Sequence, residues 1–292
     1  MTLNPYKFCK NTKGANMLKF EKYHGLGNDF IIFLEEEVKN IDCSKLAQKV
    51  CHRKFGIGAD GMMVVGKSEK ASFNMIFYNA DGSRAPMCGN GIRAFTHYIA
   101  NNNLTHKDSF EVETLAGVLS TKYEISDNNF MVEVYMGQAK YESKNVPVIT
   151  EKDKFIKEII TTSQGEIELS SIFMGTTHSV NFTDKLENVN IEVLGKEIEN
   201  NPIFPVKTNV NFVEINSRNE ITVNTWERGA GFTYACGTGC CASVVLAKDF
   251  DYVDKKVKVN VPGGFMYIEL KDKDVYMTGP SEKIAEGYYK FK

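Results

Sequence analysis

Two short stretches of the sequence repeat one arrangement of residues that could perform acid–base chemistry. "MCGNGIRAF" places Cys88 directly before a glycine-rich turn and an apolar run with helical spacing, and "ACGTGCCASVV" places Cys236 in the same context 148 residues later. The N-terminus of a helix presents unpaired N–H groups and the positive end of its dipole, which stabilise a thiolate or a carboxylate. We therefore expect each thiol to have a lowered pKa and to lie beside an anion-binding turn.

The offset of 148 residues relates much more of the chain than these two motifs. The matching pairs are Gly27 and Gly175, Asn79 and Glu227, and the strand-like runs 62–65 with 210–213 and 73–78 with 221–226. An ungapped register that holds over several elements indicates two homologous halves. Two like halves with matching sites predict a cleft in which Cys88 and Cys236 face each other.

Two thiols on opposite faces of one carbon atom could invert that carbon. One thiolate removes a proton as the base, and the opposite thiol returns a proton as the acid. The N–H groups at two helix N-termini would bind the carboxylate of the substrate and would stabilise the negative charge that builds as the proton leaves. The duplicated motif therefore predicts that Cys88 and Cys236 form a catalytic pair.

The elements that position the two cysteines are indicated by hydrophobic spacing and by turn residues. Short strand-like runs alternate with turns, and only a few stretches have helical character, namely 42–53, 89–100, 190–200 and 239–250. Each half is therefore predicted to be a mostly β unit around one helix that carries the cysteine. Residues 1–16 are polar and aperiodic, which predicts a flexible N-terminal extension. The junction between the halves is expected near 132–144, where charged and polar residues interrupt the pattern.

Composition and motif content exclude several classes of function. The 292 residues, 42% of them hydrophobic, fit about two domains, and the net charge of −2 gives no indication of a nucleic-acid or membrane partner. No apolar run approaches the roughly 20 residues of a membrane span and no signal segment is evident, so a cytoplasmic protein is expected. The seven cysteines contain no CxxC pair, and no P-loop or GxGxxG follows a strand. We therefore expect no disulfide framework, no metal and no cofactor.

Six motifs in order resemble the diaminopimelate epimerase family, whose members are amino-acid racemases that do not use pyridoxal phosphate: "HGLGNDF", "FGIGADG", "NADGS" with "MCGNGIRA", "NVNFVEI", "WERGAG" and "ACGTG". The resemblance runs from Met17 to the C-terminus. It implies an α/β fold of two pseudo-symmetric domains, each a strand-rich barrel-like sheet around a central helix. The implied domains span 17–135 and 136–278, and a last strand, 279–292, returns to the first domain.

The family's reaction, inversion of one α-carbon of LL-2,6-diaminopimelate to the meso form, would supply lysine and peptidoglycan synthesis without a cofactor. The resemblance makes Cys88 and Cys236 the two-base pair and gives His178 an auxiliary role. Residues implied around the reacting end of the amino-acid substrate are Asn28, Gly89, Asn90, Gly237 and Thr238; those implied at the distal end are Asn79, Thr176, Asn209, Glu227 and Arg228. Arg228 can hold a carboxylate in a bidentate manner and Glu227 an ammonium, which suits a substrate with two zwitterionic ends.

Three sites depart from the family's pattern and leave the substrate open. Thr176 and Thr177 stand where Asn and Pro are usual, and Phe232 stands where Glu is usual. Gly61 stands where some members have Gln, but other members have Gly there, so this departure carries no weight. A related racemase for lanthionine or histidine is therefore an alternative. A non-catalytic amino-acid-binding protein is a further alternative, which the presence of both cysteines disfavours. The sequence does not determine the oligomeric state, and a homodimer stays open.

Overall fold

A computed structural model describes residues 16–126 and 129–291. Its strands are β1 (Asn16–Gly25), β2 (Asn28–Leu34), β3 (Gly61–Gly66), β4 (Phe73–Asn79), β5 (Ser109–Thr114), β6 (Gly117–Ser126), β7 (Asn129–Gln138), β8 (Phe155–Thr162), β9 (Gly165–Phe173), β10 (Thr177–Phe182), β11 (Asn209–Ser217), β12 (Glu220–Glu227), β13 (Gly231–Thr233), β14 (Lys256–Val261), β15 (Gly264–Lys271) and β16 (Asp274–Phe291). Its helices are α1 (Glu35–Val38), α2 (Cys43–Cys51), α3 (Gly89–Asn101), α4 (Ile191–Glu199) and α5 (Gly237–Asp249), with a 3₁₀ turn at Leu186–Asn188. The predicted extension lies outside the described residues except for Asn16, which begins β1.

The four predicted helices are present as α2, α3, α4 and α5. Two of them begin at ordinary polar caps: the Asp42 carboxylate accepts from the backbone N–H groups of Ser44 and Lys45, and the Asn190 side chain accepts from that of Val193. The α1 helix was not predicted, because its four residues are too few to show a helical period. The helices α2 and α4, and likewise α3 and α5, start and end 148 residues apart. The offset of 148 residues that was found in the sequence therefore relates equivalent helices of two structurally similar halves.

The strands form one continuous hydrogen-bonded sheet, in the order β1-β2-β3-β4-β5-β6-β7-β16-β15-β14-β12-β11-β10-β9-β8, with β13 beside β12. A further pairing between β1 and β16 closes β1 to β7 and β16 into an eight-stranded barrel. The α3 helix packs against β1, β2, β7 and β16, and α5 packs against β10, β11, β15 and β16. Residues Asn90–Thr96 of α3 and Gly239–Ala247 of α5 are buried. The predicted fold class, two strand-rich units around central helices, is confirmed.

The long strand β16 belongs to both halves of the sheet. Its first part, 274–281, pairs with β7, and its contact with β15 ends at Thr278. Its second part pairs with β1 from Glu282 to Phe291. In the other half, β8 occupies the corresponding place beside β9. The chain therefore returns to its first half in the last strand, whereas the exact domain boundaries stay a prediction.

Candidate active site

A cleft of 830 Å³ opens where the N-termini of α3 and α5 meet. Both halves of the chain line it. Of the residues that the sequence analysis selected, those in its wall are Asn28, Asn79, Cys88, Gly89, Asn90, Thr176, Glu227, Arg228, Cys236, Gly237 and Thr238. Asn209 and His178 are buried behind this wall. The cleft also has wall residues that the sequence analysis did not select, among them Asp60 and Tyr234.

The two cysteines occupy the same structural position. Cys88 is the N-cap residue of α3 and Cys236 is that of α5, and both have extended backbone conformations. Neither helix receives a side-chain cap, in contrast to α2 and α4. The first backbone N–H groups of α3 and α5 are therefore available to the sulfur atoms and to a bound anion.

Of the two glycines where the helix N-termini approach each other, Gly237 is the one whose small size is needed. A Cβ atom on Gly89 would lie 3.8 Å from the Cα of Gly237, which is ordinary contact distance. A Cβ atom on Gly237 would lie 2.8 Å from the sulfur of Met277, which is too close for a real Cβ. The absence of a side chain at Gly237 thus leaves room for Met277 beside the two positive helix ends.

Cys88 lies at the end of a series of polar contacts. Its sulfur is 3.5 Å from Asn28 Oδ1, which is also 3.4 Å from the amide nitrogen of Asn90. Asn28 Nδ2 donates to Asp60 Oδ2 at 2.6 Å, and the other Asp60 oxygen pairs with Arg53 at 2.6 Å. Because Asp60 binds the amide nitrogen, the amide oxygen of Asn28 must face the thiol. Sequence reasoning missed Asp60, although it lies in the quoted motif "FGIGADG".

Cys236 lies at the end of a different series of hydrogen bonds, in which the donors point toward the sulfur. Asn211 Nδ2 contacts the Ser179 carbonyl and His178 Nδ1, both at 3.2 Å. Because Nδ1 accepts this bond, the proton of the imidazole is on Nε2, which contacts Thr238 Oγ1 at 3.0 Å. The Thr238 hydroxyl is then free to donate to the Cys236 sulfur, 3.6 Å away. His178 thus contacts Thr238 and not the cysteine itself.

Burial lowers the pKa of His178 to about 3, so this imidazole is neutral at physiological pH. A neutral His178 orients Thr238 but does not exchange protons with the substrate near pH 7. Sequence reasoning missed its partner Asn211, which is fully buried and lies in the quoted motif "NVNFVEI".

The expectation of lowered thiol pKa values is wrong for both cysteines. Burial raises the pKa of Cys88 to about 11 and raises that of Cys236 well above the ordinary value, and the Glu227 carboxylate raises both further. Backbone N–H groups of α3 and α5 act in the opposite direction, as the helix N-termini predicted, but they are outweighed. The sequence showed the helix ends and not the depth at which they lie, because desolvation depends on tertiary packing.

Glu227 lies against the second cysteine. Its Oε1 accepts from Thr233 Oγ1 at 2.7 Å, and burial raises the pKa of the carboxyl while its contacts with Thr233 and Cys236 lower it. Glu227, which the resemblance implied at the distal end of a substrate, therefore also interacts with Cys236 at the reacting end.

The remaining predicted residues form the far side of the cleft. Asn209 is buried, accepts from the backbone N–H of Arg228 at 2.9 Å and donates to the Thr177 carbonyl at 3.0 Å. The exposed Arg228 guanidinium donates to the Val206 carbonyl at 2.8 Å and keeps other N–H groups for a ligand. Asn79 donates to Ser83 at 2.9 Å. Asn209 thus fixes the loop that carries Arg228.

Two of the three departures from the family pattern line the cleft directly. Thr176 is half-buried in the wall, and Phe232, 44% exposed, places an aromatic ring there. Gly61 does not line the cleft, and a Cβ at this position would lie 2.5 Å from the ring of Phe77, which does. Phe77 thus occupies the space that a longer side chain at position 61 would need.

Within residues 16–126 and 129–291, no group of three or more His, Cys, Asp or Glu side chains is arranged to hold a metal ion. The same part of the chain contains no helix that is long and apolar enough to cross a membrane.

Comparisons with known proteins agree with this geometry. The sequence matches the family model described as "Diaminopimelate epimerase" over residues 20–142 and 170–284. A diaminopimelate epimerase from Halothermothrix orenii is 41% identical over 275 residues, covering 92% of this chain and 97% of that protein. One from Clostridium perfringens is 42% identical over 278 residues, covering 94% and 100%.

Solved structures show the same fold at low sequence identity. A PhzF-family phenazine biosynthesis protein from Bacillus anthracis has a TM-score of 0.68 at 14% identity, covering 94% of this chain and 99% of that one. A hydroxyproline epimerase from Agrobacterium vitis has a TM-score of 0.68 at 14% identity, covering 96% and 94%. Together with the identity to full-length relatives and the match to the family model, these comparisons place the chain in the diaminopimelate epimerase family.

Proposed function

We propose that this protein inverts one α-carbon of LL-2,6-diaminopimelate to give the meso form, with Cys88 and Cys236 as base and acid. The observation that carries the proposal is the pair of cysteines at the N-termini of two helices that meet in one 830 Å³ cleft. Relatives that share 41–42% identity over nearly the whole chain bear the name diaminopimelate epimerase, which supports the choice of substrate. The reaction would serve lysine and peptidoglycan precursor synthesis.

The chemistry is a pair of proton transfers. One sulfur, as the thiolate, takes the α-proton: an S–H bond forms, the C–H bond breaks, and its electron pair spreads into the adjacent carboxylate. The thiol on the opposite face then gives its proton to the carbon, which completes inversion. The two sulfurs have exchanged protonation states, and proton exchange restores the starting form before the next turnover in the same direction.

The helix N-termini supply the electrostatic part of the reaction. The backbone N–H groups that follow Cys88 and Cys236 would bind the α-carboxylate and the charge that develops on it, because α3 and α5 have no side-chain caps. Asn90 would help to enclose this end, since it donates to the Ala235 carbonyl at 2.9 Å and thereby joins the two halves. Asn28 and Thr238 would orient the two sulfurs.

The distal end of the substrate is assigned to the far side of the cleft. Arg228 would hold the second carboxylate, and Asn209 would keep the Arg228 loop in place. Asn79 and Thr176 add polar groups from the wall, and Glu227 can receive an ammonium. A substrate with a second charged end therefore fits better than a monocarboxylate such as histidine.

We assign the protein to the cytoplasm, because the reaction needs two reduced thiols and six cysteines of the described residues are free. A homodimer stays a prediction that sedimentation velocity would test.

The proposal is tested by incubating the purified protein in heavy water, without added cofactor, with LL-diaminopimelate, lanthionine and histidine. We expect inversion of diaminopimelate with incorporation of one solvent deuteron at the inverted α-carbon. Cys88→Ala and Cys236→Ala should each lower kcat/KM by about a thousandfold or more, because each removes one of two obligatory proton carriers. Cys43→Ala, a free thiol on α2 away from the cleft, is the matched control. Near-normal inversion by either active-site variant, or a higher kcat/KM for histidine, would overturn the proposal.

A further inference from the structure

A fully buried arginine lies beneath the floor of the cleft. Arg93 is 0% exposed and follows Cys88 by little more than one turn of α3. Its Nε donates to the Pro280 carbonyl at 3.2 Å, and Nη1 donates to the Gly89 carbonyl at 3.3 Å and contacts the Met277 sulfur at 3.7 Å. Its Nη2 is buried and has no hydrogen-bond partner within the described part of the chain.

The fold keeps space for this guanidinium with glycines on two strands. A Cβ atom on Gly25 of β1 would lie 3.0 Å from Arg93 Nη2, and one on Gly279 of β16 would lie 3.0 Å from Nε. Neither glycine has a positive φ, so backbone conformation does not require them. Their small size is what Arg93 needs, and any side chain at either position would crowd the guanidinium.

Among the described residues, no carboxylate pairs with the charge of Arg93. All of its hydrogen bonds go to neutral acceptors, and the ionisable groups that act on its pKa are the thiols of Cys88, Cys240 and Cys241. Burial lowers the pKa of Arg93 to about 10, so the guanidinium remains charged at neutral pH. A buried charge without a counter-ion is costly, and an anion that forms nearby would offset this cost.

The second half of the molecule lacks this cation. The position of α5 that corresponds to Arg93 is Cys241, and the charged group that acts on Cys236 is the Glu227 carboxylate. Cys88 also feels Glu227 from the end of β12, and Asp60 stands behind Asn28. Arg93 lowers the pKa of Cys88, and it lies closer in the chain to Cys88 than to Cys236, whereas Arg53 on the same side is paired with Asp60. The two thiols occupy equivalent positions in different electrostatic surroundings.

We infer that Arg93 is the counter-charge for the thiolate of Cys88 and for the anion that forms at the N-termini of α3 and α5. Arg93 is buried outside the lining of the cleft and acts through Cys88 and Gly89, so it is a positioning residue and not a catalytic one. The inference rests on the proposed two-thiol function. It assigns Cys88 as the sulfur that loses its proton first, and Cys236 as the one that holds its proton longer.

The test is the rate at which iodoacetamide alkylates each cysteine between pH 6 and 9, followed by peptide mass spectrometry. The thiolate displaces iodide and forms an S–C bond, so the pH dependence of the rate reports the ionisation of the thiol, whereas the absolute rate also depends on its exposure. We expect Arg93→Gln to slow alkylation of Cys88 about tenfold or more and that of Cys236 much less, and Arg93→Lys to retain most of the rate. Thr96→Val, another fully buried change on α3 that leaves charge unaltered, is the matched control.

The direction of the change in alkylation rate distinguishes loss of the positive charge from a loosened core. A core that is merely loosened exposes Cys88 and speeds alkylation, whereas loss of the cation slows it. An Arg93→Gln variant that alkylates Cys88 at the wild-type rate or faster would overturn the inference. If that variant does not fold, the pH profile of the wild-type protein still decides the matter, because a thiolate that forms at lower pH on Cys236 than on Cys88 would overturn the inference as well.

Alkylation needs no turnover, so the two ideas fail separately. Absence of epimerisation with any amino acid would remove the proposed function while leaving the alkylation rates interpretable. An active epimerase whose Cys88 does not respond to Arg93→Gln would remove only the role of Arg93.

Discussion

At the scale of single residues, the two thiols differ in what holds them. Cys88 contacts Asn28 Oδ1, whose orientation depends on Asp60, whereas Cys236 contacts the Thr238 hydroxyl, whose orientation depends on a neutral imidazole. Equivalent positions in a duplicated fold have therefore acquired different partners. This asymmetry suits a reaction in which one sulfur takes a proton and the other gives one.

Asp60→Asn tests the first of these arrangements. The substitution removes the charged acceptor that binds Asn28 Nδ2 at 2.6 Å, so the Asn28 amide is free to rotate away from Cys88. We expect kcat/KM to fall about tenfold, which is what loss of about 1.4 kcal/mol of orientation energy gives. Asp42→Asn, at a helix cap where Asn serves as well as Asp, is the control. Equal activity of both variants would show that Asp60 does not orient the site.

Thr176→Asn tests the departure at the distal end. An amide can donate and accept through separate atoms, which a hydroxyl of shorter reach cannot. We expect kcat/KM for LL-diaminopimelate to stay equal or to rise by up to about tenfold. Thr176→Val, which keeps the shape and removes the hydroxyl, should lower it. A loss of diaminopimelate turnover in the Asn variant together with a gain for lanthionine would indicate that the wall is adapted to another bis-amino acid.

At the scale of elements, the paired helices α3 and α5 tolerate change differently at equivalent glycines. A Cβ atom on Gly239 would overlap Asn211 Oδ1, and Asn211 holds His178 and Thr225 in place. A Cβ atom on Gly91 would overlap the terminal methyl of Met63, which can rotate away. The same substitution therefore disturbs a buried polar network in α5 and a flexible apolar side chain in α3.

We expect Gly239→Ala to lower the free energy of unfolding by about 1–3 kcal/mol, because it disrupts buried hydrogen bonds. Gly91→Ala should cost less, since the gain of alanine over glycine inside a helix offsets part of the crowding. Urea denaturation of the two variants measures the difference. A larger loss in Gly91→Ala would contradict the assignment of Asn211 as a rigid structural group.

At the scale of the whole molecule, stability in acid should depend on histidines buried in both halves. His97 stacks on Phe130 at 3.9 Å and lies edge-on to Tyr23, and burial lowers its pKa to about 4. The unfolded value is about 6.5, so the unfolded chain binds more protons between these two pH values. Burial also lowers the pKa of His178, so this residue changes the free energy of unfolding with pH in the same direction. The protein should therefore lose stability as the pH falls below about 6.5, and the loss should continue to about pH 4 for His97 and to about pH 3 for His178.

His97→Phe keeps the stacking and removes the titrating group. We expect its free energy of unfolding to fall between pH 7 and pH 5 by about 1 kcal/mol less than that of the wild type, allowing for the partial exposure of His97. His106→Gln is the control for loss of a histidine. Equal losses in the wild type and in His97→Phe would show that His97 does not link stability to pH.

Much of the fold could be predicted because the duplication gives most elements a counterpart in the other half, against which each prediction can be compared. The helices that begin at Cys88 and Cys236 follow from apolar spacing after a glycine-rich turn, and the offset of 148 residues fixed the correspondence of the strands. The short helix α1 could not be predicted in this way. Nor could the closure of the first barrel by the second part of β16 be read from local pattern, since pairing between distant strands leaves no periodic signal; the resemblance to the family implied that strand's return.

The sequence by itself determined which groups lie at the site, because two repeated cysteine–glycine motifs before two helices specify the residues at the helix N-termini. Only the tertiary structure decided the electrostatics. Burial raised the thiol pKa values that the helix ends alone would lower, and packing brought Asp60, Asn211 and Arg93 to the site from motifs in which they had no evident role. The physical reason is that bonding and spacing are local properties of a chain, whereas desolvation and the position of charges depend on every element that packs around a group.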